Sequence, residues 1–128
     1  MFSATKNCLV YNDAHFDNFI YDGKTVKLID FDRIMYCSVD YELLIIKKML
    51  QNPKKFASEE DEKFVDIKDY TFVEKCLREY SKVMFDFKNL DDRLCVYEFF
   101  YNLGHGYEYD RNDWIQAEID RFCAYFDL

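Results

Sequence analysis

The sequence predicts a mainly helical α+β chain, and three features carry that expectation. Breakers are scarce, with one Pro (Pro53) and three Gly (Gly23, Gly104, Gly106) in 128 residues, too few for a many-turned β-sandwich. Apolar residues switch at about Ser38 from a period of two to a helical period of about 3.6. Before that switch, Asp22-Gly23 stands between two short runs rich in β-branched and aromatic residues. Both residue types tolerate φ > 0, which is the usual hairpin signal. The expectation is one hairpin near 19–29 and then four or five helices, in a single domain over residues 1–128.

Each element has its own reason. Cys8-Leu-Val-Tyr reads as a short strand leading into the polar stretch Asn12-Asp-Ala-His-Phe-Asp-Asn18. Phe19-Ile-Tyr and Val26-Lys-Leu-Ile are the hairpin strands. Ser38 can cap a helix with Asp40 and Glu42 in its first turn, where carboxylates suit the dipole. That helix should run through Leu43, Leu44, Ile45, Ile46 and Leu50 and stop before Pro53. Ser58 with Asp61 resembles a capping box for a short helix near 59–67, and Thr71 with Glu74 is a clearer one. Behind Thr71, the residues Phe72, Val73, Cys76, Leu77, Tyr80, Val83, Met84 and Phe87 fall on one helical face and read as core. A further helix is expected from about Asp91 to Leu103, ended by Gly104 in αL. The last, Asn112 to Phe126, lines up Trp114, Ile115, Ile119, Phe122, Cys123 and Phe126 on its apolar side.

Half of the residues are apolar and a fifth aromatic, enough for a packed core and incompatible with intrinsic disorder. The formal net charge of −8 speaks against nucleic acid and anionic membrane as partners, since both need a basic face to displace counterions. No apolar run approaches the ~20 residues of a bilayer span, and no signal-peptide pattern opens the chain. Five cysteines, Cys8, Cys37, Cys76, Cys95 and Cys123, are scattered without a Cys-x-x-Cys pair. Such usage reads as buried thiols in a reducing compartment, with the cytoplasm the expected location.

Residues 11–32 hold the chemistry. Asp13, His15, Asp17 and Asn18 share one short loop, and the second hairpin strand ends at Ile29-Asp30-Phe31-Asp32. A hairpin returns the chain close to where it left, so Asp30 should lie near Asn18. A carboxylate facing an amide oxygen is a hard-oxygen site suited to Mg²⁺, which keeps waters and takes substrate phosphates. Asp13, on the preceding loop, would face a substrate hydroxyl. Taken singly, each Asp or Asn is an ordinary loop residue that bonds its own backbone; the ordered spacing around a hairpin is what singles them out.

The stretch Tyr11-Asn-Asp13-Ala-His15-Phe-Asp-Asn18, followed by Ile29-Asp30-Phe31-Asp32, resembles the catalytic loop and metal-binding segment of the aminoglycoside phosphotransferase and choline kinase family. These are small-molecule kinases with the protein-kinase-like fold. The resemblance implies that Asp13 is the catalytic base or orienter of the acceptor hydroxyl, and that Asn18 and Asp30 hold magnesium. It makes His15 and Asp32 supporting candidates, and it likens Asp40, Glu42 and Leu43 to the acidic start of the family's next helix. Tyr11 stands where the family usually has His, a position that shapes the loop. The match covers about 35 residues, and the helical remainder fits the family's C-terminal lobe in outline.

The chain begins about ten residues before this loop. The expectation is therefore a partial C-terminal lobe without the N-terminal nucleotide lobe, whose phosphate-covering loop and lysine grip ATP. By resemblance the function is ATP- and Mg²⁺-dependent phosphoryl transfer to a hydroxyl of a small, cationic molecule such as an aminoglycoside or amino alcohol, by a longer parent of which this piece alone would be inactive. The alternative is a non-catalytic kinase-like remnant serving as an interaction module. In either case a second copy or the N-terminal lobe is expected to cover the apolar surface that absent helices would leave.

Overall fold

The computed structural model of the chain describes residues 7–80 and 85–128. Asp22-Gly23 closes the expected hairpin. Strand β2 (Phe19–Tyr21) pairs antiparallel with β3 (Val26–Leu28), Phe19 opposite Leu28 and Tyr21 opposite Val26. Gly23 takes φ 92°, and Asp22 Oδ1 accepts the backbone N–H of Thr25 at 2.9 Å and of Lys24 at 3.0 Å. These bonds hold the Asp22 carboxyl below its ordinary range.

A second antiparallel pair joins β1 (Asn7–Val10) to β4 (Met35–Ser38), with Asn7 opposite Ser38, Cys8 opposite Cys37, Leu9 opposite Tyr36 and Val10 opposite Met35. Strand β4 was not expected. Four residues give too little alternation to read a period, and the partner that orders them is distant in sequence. The two strands bracket the whole segment that carries the candidate site.

Ser38 ends β4 and precedes a 3₁₀ turn over Val39–Tyr41 rather than capping the helix directly; its hydroxyl donates to the Asp40 carboxylate. Helix α1 (Glu42–Gln51) follows and buries Leu43, Leu44, Ile45 and Met49. It stops where expected, before Pro53, which opens another 3₁₀ turn to Phe56. The Ser58–Asp61 box forms, with Asp61 N–H on Ser58 Oγ at 3.2 Å and Ser58 Oγ donating to Asp61 Oδ2 at 2.8 Å. Only a 3₁₀ turn, Glu62–Phe64, grows from it. The cap lacks an apolar stripe to bury, as Phe64 at 75% exposure shows.

Helix α2 (Ile67–Tyr80) starts four residues before the Thr71–Glu74 box. Asp66 caps it, accepting Lys68 N–H at 2.9 Å, whereas Thr71 sits inside and donates its hydroxyl to the Ile67 carbonyl at 3.3 Å. Glu74 pairs with Arg78 one turn on, at 3.0 Å. The expected core stripe is half right: Val73, Cys76 and Leu77 are half-buried, while Phe72 and Tyr80 are exposed. Val83 and Met84 lie outside the described residues.

The chain divides into two compact units between Lys88 and Asn89. The second is a helical pair, α3 (Leu90–Glu108) and α4 (Asn112–Phe126). Gly104 does not end α3, which continues through Gly106 to a turn where Asp110 takes φ 50°. Helix α4 has the expected bounds. Phe99 stacks on Phe122 at 4.3 Å between ring centres, and Arg121 binds Glu118 at 2.7 Å within α4 and Glu98 of α3 at 3.9 Å. With four α-helices and four short strands among the described residues, the chain is mainly α. Among them no helix is long and apolar enough to cross a membrane.

Candidate functional site

The site is built on the connection from β1 to β2. Val10 is buried at the end of β1, and Asn12 then turns the chain with φ 59°, a conformation Asn tolerates better than most residues. The turned Asn12 N–H donates to Glu42 Oε2 at 2.9 Å, fixing the loop to the first residue of α1. Past Asp13 the loop closes on itself. His15 N–H donates to the Asp13 carbonyl at 2.8 Å, and Asn18 N–H to the His15 carbonyl at 3.1 Å, around a 3₁₀ turn over Phe16–Asn18.

Asn18, 6% exposed, is the hub. Its Nδ2 donates to Asp13 Oδ2 at 2.9 Å and lies 3.0 Å from both the Asp13 carbonyl and His15 Nε2. Two amide hydrogens thus serve three acceptors. The two Asp13 oxygens can only accept, so this end of the Asn18 side chain is the nitrogen and the carbonyl oxygen is left for another partner. A His15 Nε2 that accepts here leaves the imidazole proton on Nδ1, which is buried without a hydrogen-bond partner. His15 Nε2 also stands 3.6 Å from Asp13 Oδ2.

The hairpin brings Asp30 back toward this hub. Ile29 N–H donates to the Asn18 carbonyl at 3.0 Å, and Asp30 follows with φ 58°, exposed to solvent. Asp32 is exposed as well, its backbone N–H 3.5 Å from Asp30 Oδ1. Tyr11 spans the two halves: its hydroxyl donates to the Ile29 carbonyl, and its ring meets Phe31 edge-on at 5.6 Å. Burial pushes the Tyr11 hydroxyl above its ordinary value, and the Asp13, Asp30 and Glu42 carboxylates push the same way against a hydrogen bond with Asn18. Three carboxylates therefore act on one hydroxyl.

No family model, curated protein or solved structure matches this chain.

Among the described residues no group of three or more His, Cys, Asp or Glu is arranged to hold a metal. The Asn18 and Asp30 pair offers fewer protein ligands than that, an amide oxygen and a carboxylate. By ligand type such a pair suits Mg²⁺, whose shell is commonly completed by water and phosphate oxygens, and Asn12 Oδ1, in the same loop as Asn18, is a further buried oxygen without a hydrogen-bond partner. Asp13 keeps one carboxylate oxygen, Oδ2, on Asn18 and has a second with which to accept from a hydroxyl.

Sequence reasoning gave Asn12 and Glu42 no part in the loop, and Tyr11 only a general one. Asn12 acts through its backbone, which side-chain motifs do not show. Glu42 carries a signal, an acidic first turn, but that signal reads as a helix start and not as an anchor for the loop. Asp40, 1% exposed, meets the Ser38 hydroxyl and lies inside the protein.

Proposed function

We propose that loop 11–18 and turn 29–32 form the hydroxyl-orienting and metal-holding part of a phosphotransferase that uses Mg²⁺ and ATP on a hydroxyl of a small, cationic molecule such as an aminoglycoside or amino alcohol. The observation that carries this reading is the bond from the Asn18 amide to the Asp13 carboxylate, on a loop that the Tyr11 hydroxyl ties to the Ile29 carbonyl beside Asp30. Phosphoryl transfer asks a protein mainly for positioning and charge neutralisation, which a few carboxylates can supply.

In this reading Asp13 accepts a hydrogen bond from the acceptor hydroxyl, aligns its oxygen and takes its proton as the bond to phosphorus forms. Asn18 fixes the Asp13 carboxylate in place. Asp30 and the Asn18 carbonyl oxygen hold the metal, which when bound neutralises charge on the transferred phosphoryl group. The excess of acidic residues suits a cationic acceptor. A glycine-rich phosphate loop has no counterpart in these 128 residues, so activity is proposed for a longer or assembled form.

The test is phosphoryl transfer by that form to a panel of amino alcohols and aminoglycosides, with Asp13→Asn and Asp30→Asn beside it. Asp13→Asn should lower the rate by at least ~10²-fold with little change in Mg-ATP binding, whereas Asp30→Asn should weaken binding and rate together. An Asp13→Asn protein that melts lower but turns over as fast would remove the assignment.

A second reading, an interaction module without catalysis, draws on the exposed apolar side chains of the same unit, among them Leu9, Tyr21, Tyr36 and Phe31. It forecasts no transfer to any acceptor and partner binding indifferent to both substitutions.

A further inference from the structure

Strands β1 and β4 set Cys8 and Cys37 at facing positions of one antiparallel ladder. Directly opposite residues in such a ladder have Cα atoms about 4.5 or 5.5 Å apart, according to whether the pair is hydrogen-bonded, and their side chains rise from the same face. Both separations fall inside the span of about 4.4–6.8 Å that disulfides bridge. The two cysteines are thiols and half-buried, unlike Cys95, which is buried. Small reagents can therefore reach them, and the register holds the pair within the Cα span of a disulfide.

We propose that Cys8 and Cys37 form a reversible cross-strand disulfide by exchange with a low-molecular-weight disulfide such as oxidised glutathione. One protein thiolate attacks a sulfur of that disulfide, which releases one small thiol and leaves a mixed disulfide on the protein. The second protein thiolate then attacks the protein-bound sulfur, the mixed bond breaks, and the second small thiol leaves. The two protein sulfurs are oxidised, the small disulfide is reduced to two thiols, and the two protons lost by the cysteines end on those thiols. The bond closes a loop of about 30 residues, which narrows the unfolded ensemble. Asp13, Asn18 and Asp30 all lie inside it. The proposal stands on the β1–β4 ladder and does not need the phosphotransferase reading.

The surroundings agree. Cys37 Sγ donates to the Ser38 carbonyl at 3.6 Å, a weak thiol bond whose loss on linkage costs little. Burial, the facing Cys8 thiol and the Glu42 and Asp40 carboxylates raise the Cys37 thiol above its ordinary value. Little thiolate is therefore present near neutral pH, and linkage should quicken as alkali frees it.

The experiment equilibrates the chain in glutathione buffers of graded redox poise, traps remaining thiols with an alkylating reagent, and maps peptides by mass. The expected result is a Cys8–Cys37 peptide pair as the main oxidised species, absent after reduction. With it the melting temperature should rise by at least ~5 °C. A variant with Cys76, Cys95 and Cys123 all replaced by Ser should show the same link, and Cys37→Ser should show none. Glutathione left on Cys8 or Cys37 without ring closure, a dominant link to another cysteine, or a link that leaves the melting temperature unchanged would overturn the proposal. The peptide map of the unaltered chain decides it even where a variant folds poorly.

Discussion

Asn18 and Asp13 are joined twice: the Asn18 amide nitrogen lies 2.9 Å from the Asp13 carboxylate and 3.0 Å from the Asp13 carbonyl oxygen. One buried side chain thereby fixes both the backbone and the carboxylate of Asp13. Replacing Asn18 with Ala strands these acceptors and should cost about 1–3 kcal/mol, read as a lower midpoint in urea. Asn18→Asp sets a second carboxylate against Asp13. Like charges raise the folded-state pKa of that pair, so their stability contribution is lost as pH rises. The Asn18→Asp deficit should therefore be larger at pH 7 than at pH 4, which melting curves at the two values will show.

Glu42 supplies the other anchor, through its 2.9 Å bond from Asn12 N–H. A hydrogen bond to a charged group contributes about 1.5–3 kcal/mol, reduced here by partial exposure. Glu42→Ala should lower stability measurably and speed hydrogen exchange at the Asn12 amide, while Glu42→Gln, which keeps an acceptor, should do less of both. Asn12→Gly should be tolerated because φ 59° suits glycine. Equal exchange at Asn12 in both Glu42 variants would show that the bond does not hold the loop.

The residues that sequence reading singled out are those whose spacing is local. Asp13 and Asn18 meet within one loop, and a two-strand hairpin with a clear turn signal returns Asp30 toward them. Strand β4 and the Cys8–Cys37 pairing escaped notice for one shared reason: their order comes from a partner far along the chain, and four residues carry too little pattern to announce it. Helix ends failed differently. The Thr71–Glu74 box and Gly104 are sound local signals, yet Asp66 caps α2 upstream of the first, and α3 continues past the second to set Gly106 against Ile115.

Tyr11 should make the loop sensitive to alkali. Its hydroxyl is raised by burial and then by Asp13, Asp30 and Glu42, so the folded chain holds that proton more tightly than the unfolded chain does. The unfolded state loses the proton first, and stability falls as pH rises beyond about 10, the ordinary tyrosine value. Tyr70 and Tyr125 are raised as well, so the comparison must be with Tyr11→Phe. That variant should lose some stability at pH 7, with the bond to the Ile29 carbonyl gone. Its further decline above pH 10 should be shallower than that of the unaltered chain. Parallel curves would show that Tyr11 titrates alike in both states.

The two glycines inside α3 should respond in opposite directions to the same change. Glycine in a helix interior costs about 0.5–1 kcal/mol relative to alanine, because the unfolded chain has more freedom to lose. At Gly104 a new Cβ meets nothing within 4 Å, so Gly104→Ala should raise the melting temperature by a few degrees. At Gly106 the same Cβ would lie 2.7 Å from Ile115 Cγ1 and 3.4 Å from its Cδ1. Ile115 is β-branched, with few rotamers to retreat into, and it sits in the first turns of α4, which follows the short connection from α3. Overpacking of this kind costs about 1–3 kcal/mol, more than the entropic gain returns. Gly106→Ala should therefore lower the melting temperature, and its cost should shrink when measured in an Ile115→Ala background, which removes the Cγ1 that the new Cβ would strike. A Gly106→Ala chain as stable as Gly104→Ala would mean that the glycine does not set how closely α4 approaches α3.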